Sequence, residues 1–493
     1  MARGAAWMVL FRLFDRSIGI VSTAILARLL VPADFGLVAM AMSVIAVIEL
    51  ATAFSFEVAL IQKPDPSREH YDTAWTLNVL MASAGALVTA GLAWPCATIF
   101  ADARLVIVML CIAAAWFVSG FENIGVVNFR RRMDFSAEFR LMATKRVVSF
   151  LVTMAAAFAF RSYWALIIGM ATGRIAGVLL SYLMEPFRPR PSFACTRELL
   201  NFSGWLLANN MAGVALTRAP HFFVGRLFGA QALGAYTVGS EIAQLAHTEL
   251  VAPINRAMFP GYAKLVGDPD RFRQVCTEAT AAILLVVLPA SFAVAVLAGP
   301  IVRVLLGVQW HDAAPVIRIL AFSGAVTAIT SNNAAAYVAL GRPRLSTAIY
   351  IARLIVFVAL AFPFVSSRDI SAVALCELLA ALGSLLVSLP ILLRVVKVRA
   401  ADYLATMWRP LVASAVAAGA VHLLLRLAED AADLPTAIMQ LAVGLPAGLL
   451  LYVVALVALW QLSGRPPSVE LEITRRLRAA LAAKMAGLRP RSG

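Results

Sequence analysis

Apolar runs of about 20 residues recur along almost the whole of this 493-residue chain. Each is long enough to cross, as a helix, a hydrocarbon layer roughly 30 Å thick. This recurrence predicts an all-α, polytopic membrane protein with about fourteen transmembrane helices. The expected spans cover residues 7–30, 35–61, 74–99, 104–128, 141–160, 163–184, 200–227, 231–258, 273–297, 313–340, 344–364, 370–394, 407–427 and 436–461. Composition agrees: 61% of residues are hydrophobic and 14% charged, whereas a soluble domain runs nearer about 45–50% and about 25%. The opening "MARGAAWMVLFRLFDRSIGI" is broken by Arg12, Asp15 and Arg16 and has no small-residue cleavage site, so it reads as the first span rather than a signal peptide.

The net charge of +15 would suggest nucleic acid in a soluble chain. In a membrane chain it sets topology, and no nucleic-acid partner is expected. With the N-terminus cytoplasmic, the inner connections hold Lys63 and Arg68, Arg130–Arg132 through Arg146, Arg188–Arg197, Lys264–Arg273, Arg342 and Arg344, and Arg394–Arg409. The outer connections hold only Arg104, Arg161, Arg303 and Arg368, and the last of them is the acidic "LAEDAADLP". An even span count then returns the C-terminus to the cytoplasm. Five scattered cysteines without a CxxC pair, and five dispersed histidines, argue against a disulfide framework or a metal centre.

Trp7, Arg28 and Gly36 recur as Trp205, Arg226 and Gly234, all displaced by 198 residues, and "ARLLVPADFGLVAM" aligns with "GRLFGAQALGAYTV". Spans one to six and seven to twelve are therefore expected to form two six-helix lobes. Six is even, so the lobes are parallel repeats related by a pseudo-two-fold axis along the membrane normal, with substrate between them. The expected division is 1–195 for the first lobe, 196–400 for the second, 401–462 for two extra helices, and 463–493 for a basic cytoplasmic tail. In that tail Ile473, Leu477, Leu481, Met485 and Leu488 repeat at helical spacing, as in a helix lying on anionic lipid or a solvated one.

The first hairpin, "SREHYDTAWTLN", "NFRRRMDFSAEFR", "VGRLFGAQALGAYTVGSEIA", "APINRAMFPGYAKL" and "ALGRPRLSTA" together resemble the MOP exporter superfamily, and within it the Wzx-type polysaccharide flippases, over nearly the whole chain. The resemblance implies a non-enzymatic transporter in the bacterial inner membrane, without cofactors. It would move polyprenyl-diphosphate-linked oligosaccharide by alternating access, for lipopolysaccharide, O-antigen or exopolysaccharide synthesis. The implied partners are that substrate, membrane lipids and glycan polymerase or export machinery. Rival readings are a multidrug or organic-cation antiporter on the same fold, a peptidoglycan-precursor flippase and, more remotely, a membrane glycan polymerase. Many members carry an acid five residues before the glycine of "GRLFG"; here that position is Pro220.

Charges within spans are costly and face a cavity or a partner. Arg12 and Arg16 share a stripe of the first span, with Asp15 placed to pair with Arg12. Arg174, Arg218 and Arg353 lie deep in their spans, His221 shares a stripe with Thr217 and Asn210, and "ITSNN" carries Asn332 and Asn333. Guanidinium groups suit a diphosphate and the amides suit sugar hydroxyls; the bland alternatives are local ion pairs, snorkelling and interhelical hydrogen bonds. Asp15, Glu49, Glu241, Glu249 and Glu377, with Glu57 and Glu122, are the acids available for ion coupling or for neutralising arginines. Pro220 and Pro253 are candidate helix breaks. There is no Walker phosphate loop and no G-x-S-x-G nucleophile elbow.

Overall fold

The computed structural model describes residues 2–52, 56–63, 65–251, 253–255, 258, 261–262, 265–363, 369–427 and 433–464. The expected tail helix lies outside them, as do Lys264 and Arg368, and so do the side chains of Trp205 and Asn210. The regular elements among the described residues are helical. They are α1 (Ala2–Leu29), α2 (Pro32–Thr52), α3 (Phe56–Gln62), α4 (Arg68–Phe100), α5 (Arg104–Ser119), α6 (Val127–Arg131), α7 (Phe135–Phe160), α8 (Trp164–Met184) and α9 (Thr196–Ala243). There follow α10 (Pro269–Val296), α11 (Ala298–Leu305), α12 (Ala313–Ala339), α13 (Pro343–Ala361), α14 (Ile370–Val396), α15 (Ala400–Leu427) and α16 (Leu434–Leu462).

Among the described residues ten helices are long and apolar enough to cross a membrane, or eleven if one bent pair is a single span. These match eleven of the fourteen expected spans. The remaining three fall on α1, where Arg3, Arg12, Asp15, Arg16 and Arg28 interrupt the apolar run, and on the two arms of α9. The expected second span breaks between α2 and α3. The fourth bends by 65° after Ser119. Asn123 holds that bend: its Oδ1 accepts from Gly125 N at 2.9 Å, capping the chain where it turns helical again, and its Nδ2 donates to the carbonyls of Phe187 (2.7 Å) and Glu185 (3.2 Å), which follow α8.

Helix ends follow local chemistry. Asp134 caps α7, accepting from Ala137 N at 3.1 Å, and Asp268 caps α10 from Arg271 N at 3.1 Å with Pro269 in the first turn. α9 runs through Pro220 and breaks instead at Gly229 (φ 80°), a left-handed conformation that glycine adopts without steric cost. Position 229 is 198 residues beyond Val31, where the chain turns between α1 and α2.

The chain forms two compact units, one of Met1–Gly239, Val302–Val316 and Leu354–Cys376, the other of Ser240–Ile301, Ile317–Arg353 and Glu377–Gly493. The expected repeat boundary at 195 falls inside the first. In that unit α7 packs on α8 and α1, and α5 on α4 and α8. A Cβ on Gly36 would lie 1.6 Å from Ala230 O, and one on Gly234 would lie 1.8 Å from Pro32 O. Pro32 and Ala230 are themselves 198 residues apart, as are the two glycines. The contact therefore maps onto itself when the segments are exchanged, as a two-fold relation requires, and only glycine allows backbones so close.

In the second unit α15 packs on α10 and α16, with Ile283, Leu284, Val287 and Ala328 buried in one apolar cluster. Only 11% of the most apolar window of α16 is buried, so its leucines, including Leu449 and Leu450, face outward, as a lipid-facing helix requires.

Candidate functional site

In the first unit α1, α2, α7, α8 and the bend between α5 and α6 border a cavity of about 570 Å³. Its charges come from separate elements and meet in pairs. Arg146 Nε of α7 lies 2.9 Å from Asp15 Oδ1 of α1, and Arg174 Nη2 of α8 lies 2.5 Å from Glu49 Oε1 of α2. Lys145 Nζ stands 3.8 Å from Glu122, and Arg130 bridges Glu138 (2.6 Å) and Glu57 (3.3 Å). A smaller space of about 270 Å³ shares Glu57 and Glu122 and extends to Glu49, Thr52 and Asn78.

Arg174 and Glu49 remain 23% and 33% exposed. Pairs this open to water are held weakly, by about 0–1 kcal/mol, so an incoming anion can compete for the guanidinium. The walls carry five carboxylates, on Asp15, Glu49, Glu57, Glu122 and Glu138, and four bases, on Arg130, Lys145, Arg146 and Arg174.

The expected site residues are distributed among several settings. Asp15 faces α7 and pairs with Arg146; Phe11 meets Phe139 edge-on and Phe14 lies tilted against it, which turns that face of α1 toward α7. Arg12 and Arg16 are half-buried. Arg174 meets Glu49, one of the candidate acids. Arg218 is half-buried on α9, where His221 Nδ1 donates to Thr217 O at 3.1 Å and its ring meets Tyr236 edge-on at 5.5 Å. Arg353 belongs to the second unit, is 8% exposed, and donates to Thr327 Oγ1 at 3.1 Å.

Asn332 and Asn333 are wholly buried in the second unit. Asn332 donates to Thr280 Oγ1 (3.0 Å) and accepts from Tyr262 (3.0 Å), while Asn333 donates to Ser388 Oγ (3.1 Å) and accepts from Tyr403 (3.4 Å). Glu241 is exposed, and Glu249 and Glu377 are half-buried. The cavity positions of Lys145 and Arg146 were missed in the sequence because inner-loop charge explained them. Ser149, four residues after Lys145, continues their face along α7 and is the one local signal that they point inward.

Folding also gathers residues with no sequence spacing to mark them. A ring nitrogen of His70, Cys195 Sγ and a Glu198 carboxylate oxygen all lie within 4.8 Å of one another. Lys63 Nζ is 2.5 Å from Glu198 Oε1 and 2.6 Å from His70 Nε2. The hydrogen bond from Lys63 above all, and then the neighbouring His70, hold the Glu198 carboxyl below the usual carboxylate range. The scattered cysteines and histidines gave no expectation of this grouping.

A family model described as "Polysaccharide biosynthesis protein" matches residues 25–315. The succinoglycan biosynthesis transport protein ExoT of Rhizobium meliloti (strain 1021) is 23% identical over 327 residues, 66% of this chain and 66% of that one. The chain thus spans about two thirds of that relative's length. The teichuronic acid biosynthesis protein TuaB of Bacillus subtilis (strain 168) is 22% identical over 414 residues, 83% of this chain and 85% of that one. Among solved structures, the lipid II flippase MurJ in an inward closed conformation superposes with a TM-score of 0.73 at 13% identity, covering 92% of this chain and 98% of MurJ. A multidrug resistance MATE family transporter of the MOP superfamily, inward-facing, gives 0.55 at 16%, covering 79% and 95%. These likenesses establish the fold, and with more than half the chain matched by the family model, the protein belongs to the polysaccharide biosynthesis family of Wzx-like flippases, membrane transporters rather than enzymes, on the MOP superfamily fold.

Proposed function

We propose that this chain moves a polyprenyl-diphosphate-linked oligosaccharide across the bacterial cytoplasmic membrane by alternating access, with both termini cytoplasmic. The observation that carries the reading is the gathering of Arg130, Lys145, Arg146 and Arg174 around one cavity among membrane helices. A diphosphate with a hydrated glycan cannot cross hydrocarbon unaided. The four bases offer bidentate and point-charge contacts for its oxygens, and the paired carboxylates neutralise them while the cavity is empty. Arg12, Arg16, Arg218 and Arg353 are further anion contacts in this reading. The names of the relatives, which include succinoglycan and teichuronic acid biosynthesis, support an envelope or secreted polysaccharide as the product.

Purified protein in liposomes should carry a fluorescent polyprenyl-diphosphate glycan from one leaflet to the other faster than protein-free liposomes do. Equal rates would refute the proposal. The excess of one carboxylate over the bases favours a second reading, an organic-cation antiporter, which predicts dye efflux from the same liposomes under a cation gradient.

A further inference from the structure

We propose that His70, Cys195 and Glu198 form a binding site for a zinc-class divalent cation, with Lys63 as the internal cation that holds the place when no metal is bound. The site is separate from the transport cavity. Its donors are a nitrogen, a sulfur and an oxygen, the set that borderline metals take in three-ligand sites with a fourth position left to water. The nitrogen and the oxygen already stand at the spacing of a formed site. His70 Nε2 and Glu198 Oε2 are 3.3 Å apart, and a tetrahedral ion with bonds of about 2.0–2.3 Å spaces its ligand atoms by roughly 3.3–3.8 Å.

The histidine is already set for a cation. Lys63 Nζ can only donate, and it lies 2.6 Å from Nε2, so Nε2 presents its lone pair. The ring proton then sits on Nδ1, which is 2.7 Å from Ser67 Oγ and donates to it. An outer hydrogen bond of this kind orients metal-binding histidines. The thiol is placed by different bonds. The segment leading to Cys195 lies along the start of α4, where Arg190 N donates to Asp72 Oδ1 (2.9 Å), Ser192 N to Thr76 Oγ1 (2.9 Å) and Cys195 N to Thr73 Oγ1 (3.3 Å).

A divalent ion entering here forms a sulfur–metal bond as the Cys195 thiol gives its proton to solvent. Lys63, on a flexible stem, swings outward still protonated. Coordination by the thiolate is the gain that an ammonium cannot match. The bound ion would pin the start of α9 to the first turn of α4.

The test uses full-length protein, purified in detergent without a polyhistidine tag and titrated with Co²⁺. One saturable equivalent with a thiolate-to-cobalt charge-transfer band is expected. The band should vanish in Cys195→Ser and weaken in His70→Ala. Lys63→Gln should bind about tenfold more tightly or better, since a competing positive charge is gone, and misfolding cannot mimic that gain. The proposal is overturned by absence of the band in the unaltered protein, by its persistence in Cys195→Ser, or by unchanged or weaker binding in Lys63→Gln.

Discussion

Asn332 and Asn333 in the second unit have no exposed surface and spend their amides on Thr280, Tyr262, Ser388 and Tyr403. In the first unit, Arg174 and Glu49 stay 23% and 33% exposed beside a cavity. Both regions are polar and both lie in helices expected to span the membrane, but the physics differs. A neutral amide that meets its partners can be sealed among helices, and there it fixes their positions. A charge pays heavily for being sealed in and remains where water or a ligand reaches it. Under the proposed function, the charged cavity binds substrate and the buried amide network registers helices.

The largest expected effect lies outside both regions and calibrates packing damage alone. Gly36→Ala or Gly234→Ala drives a methyl group into backbone, overpacking that costs about 1–3 kcal/mol or more, so protein abundance on immunoblots should fall severalfold, and normal abundance would refute the close crossing. Asn332→Ala comes next: it strands Tyr262 and Thr280, at about 1–3 kcal/mol for buried groups left unpaired. Abundance should drop while the surviving protein exports glycan normally. Normal abundance with lost export would move Asn332 into the substrate site and erase the contrast.

Arg174→Ala is expected to have a smaller effect on abundance, about 1–2 kcal/mol, because the Glu49 it strands is partly open to water. Adding Glu49→Ala should restore abundance without restoring export. Rescue of both would make the pair structural only. The smallest effect is at Asp134, whose carboxylate caps α7 and so helps carry Lys145 and Arg146. Asp134→Ala should lower thermal stability by about 1 kcal/mol and leave export per molecule unchanged; an export defect at normal stability would give Asp134 a direct part in transport.

The helical class and most spans were legible because hydropathy records lipid contact residue by residue. The 198-residue displacement also marked Gly36 and Gly234, and in the fold each of these glycines lies against the backbone of the other's segment. Partner choice was not legible. Asp15 on α1 meets Arg146 on α7. Glu49 and Arg174 are 125 residues apart, and His70 and Glu198 are 128 apart. No local period encodes such meetings, which depend on how whole helices are set against one another.

The central claim is that the charged cavity of the first unit does the transport, and one double substitution tests it without stranding a charge. In Asp15→Asn/Arg146→Gln both members of the pair become neutral amides that still hydrogen-bond, so abundance should stay close to normal. Glycan export per molecule of protein should fall about tenfold or more, as expected when an anion contact used in transport is removed. Full export from this variant at normal abundance would contradict the account.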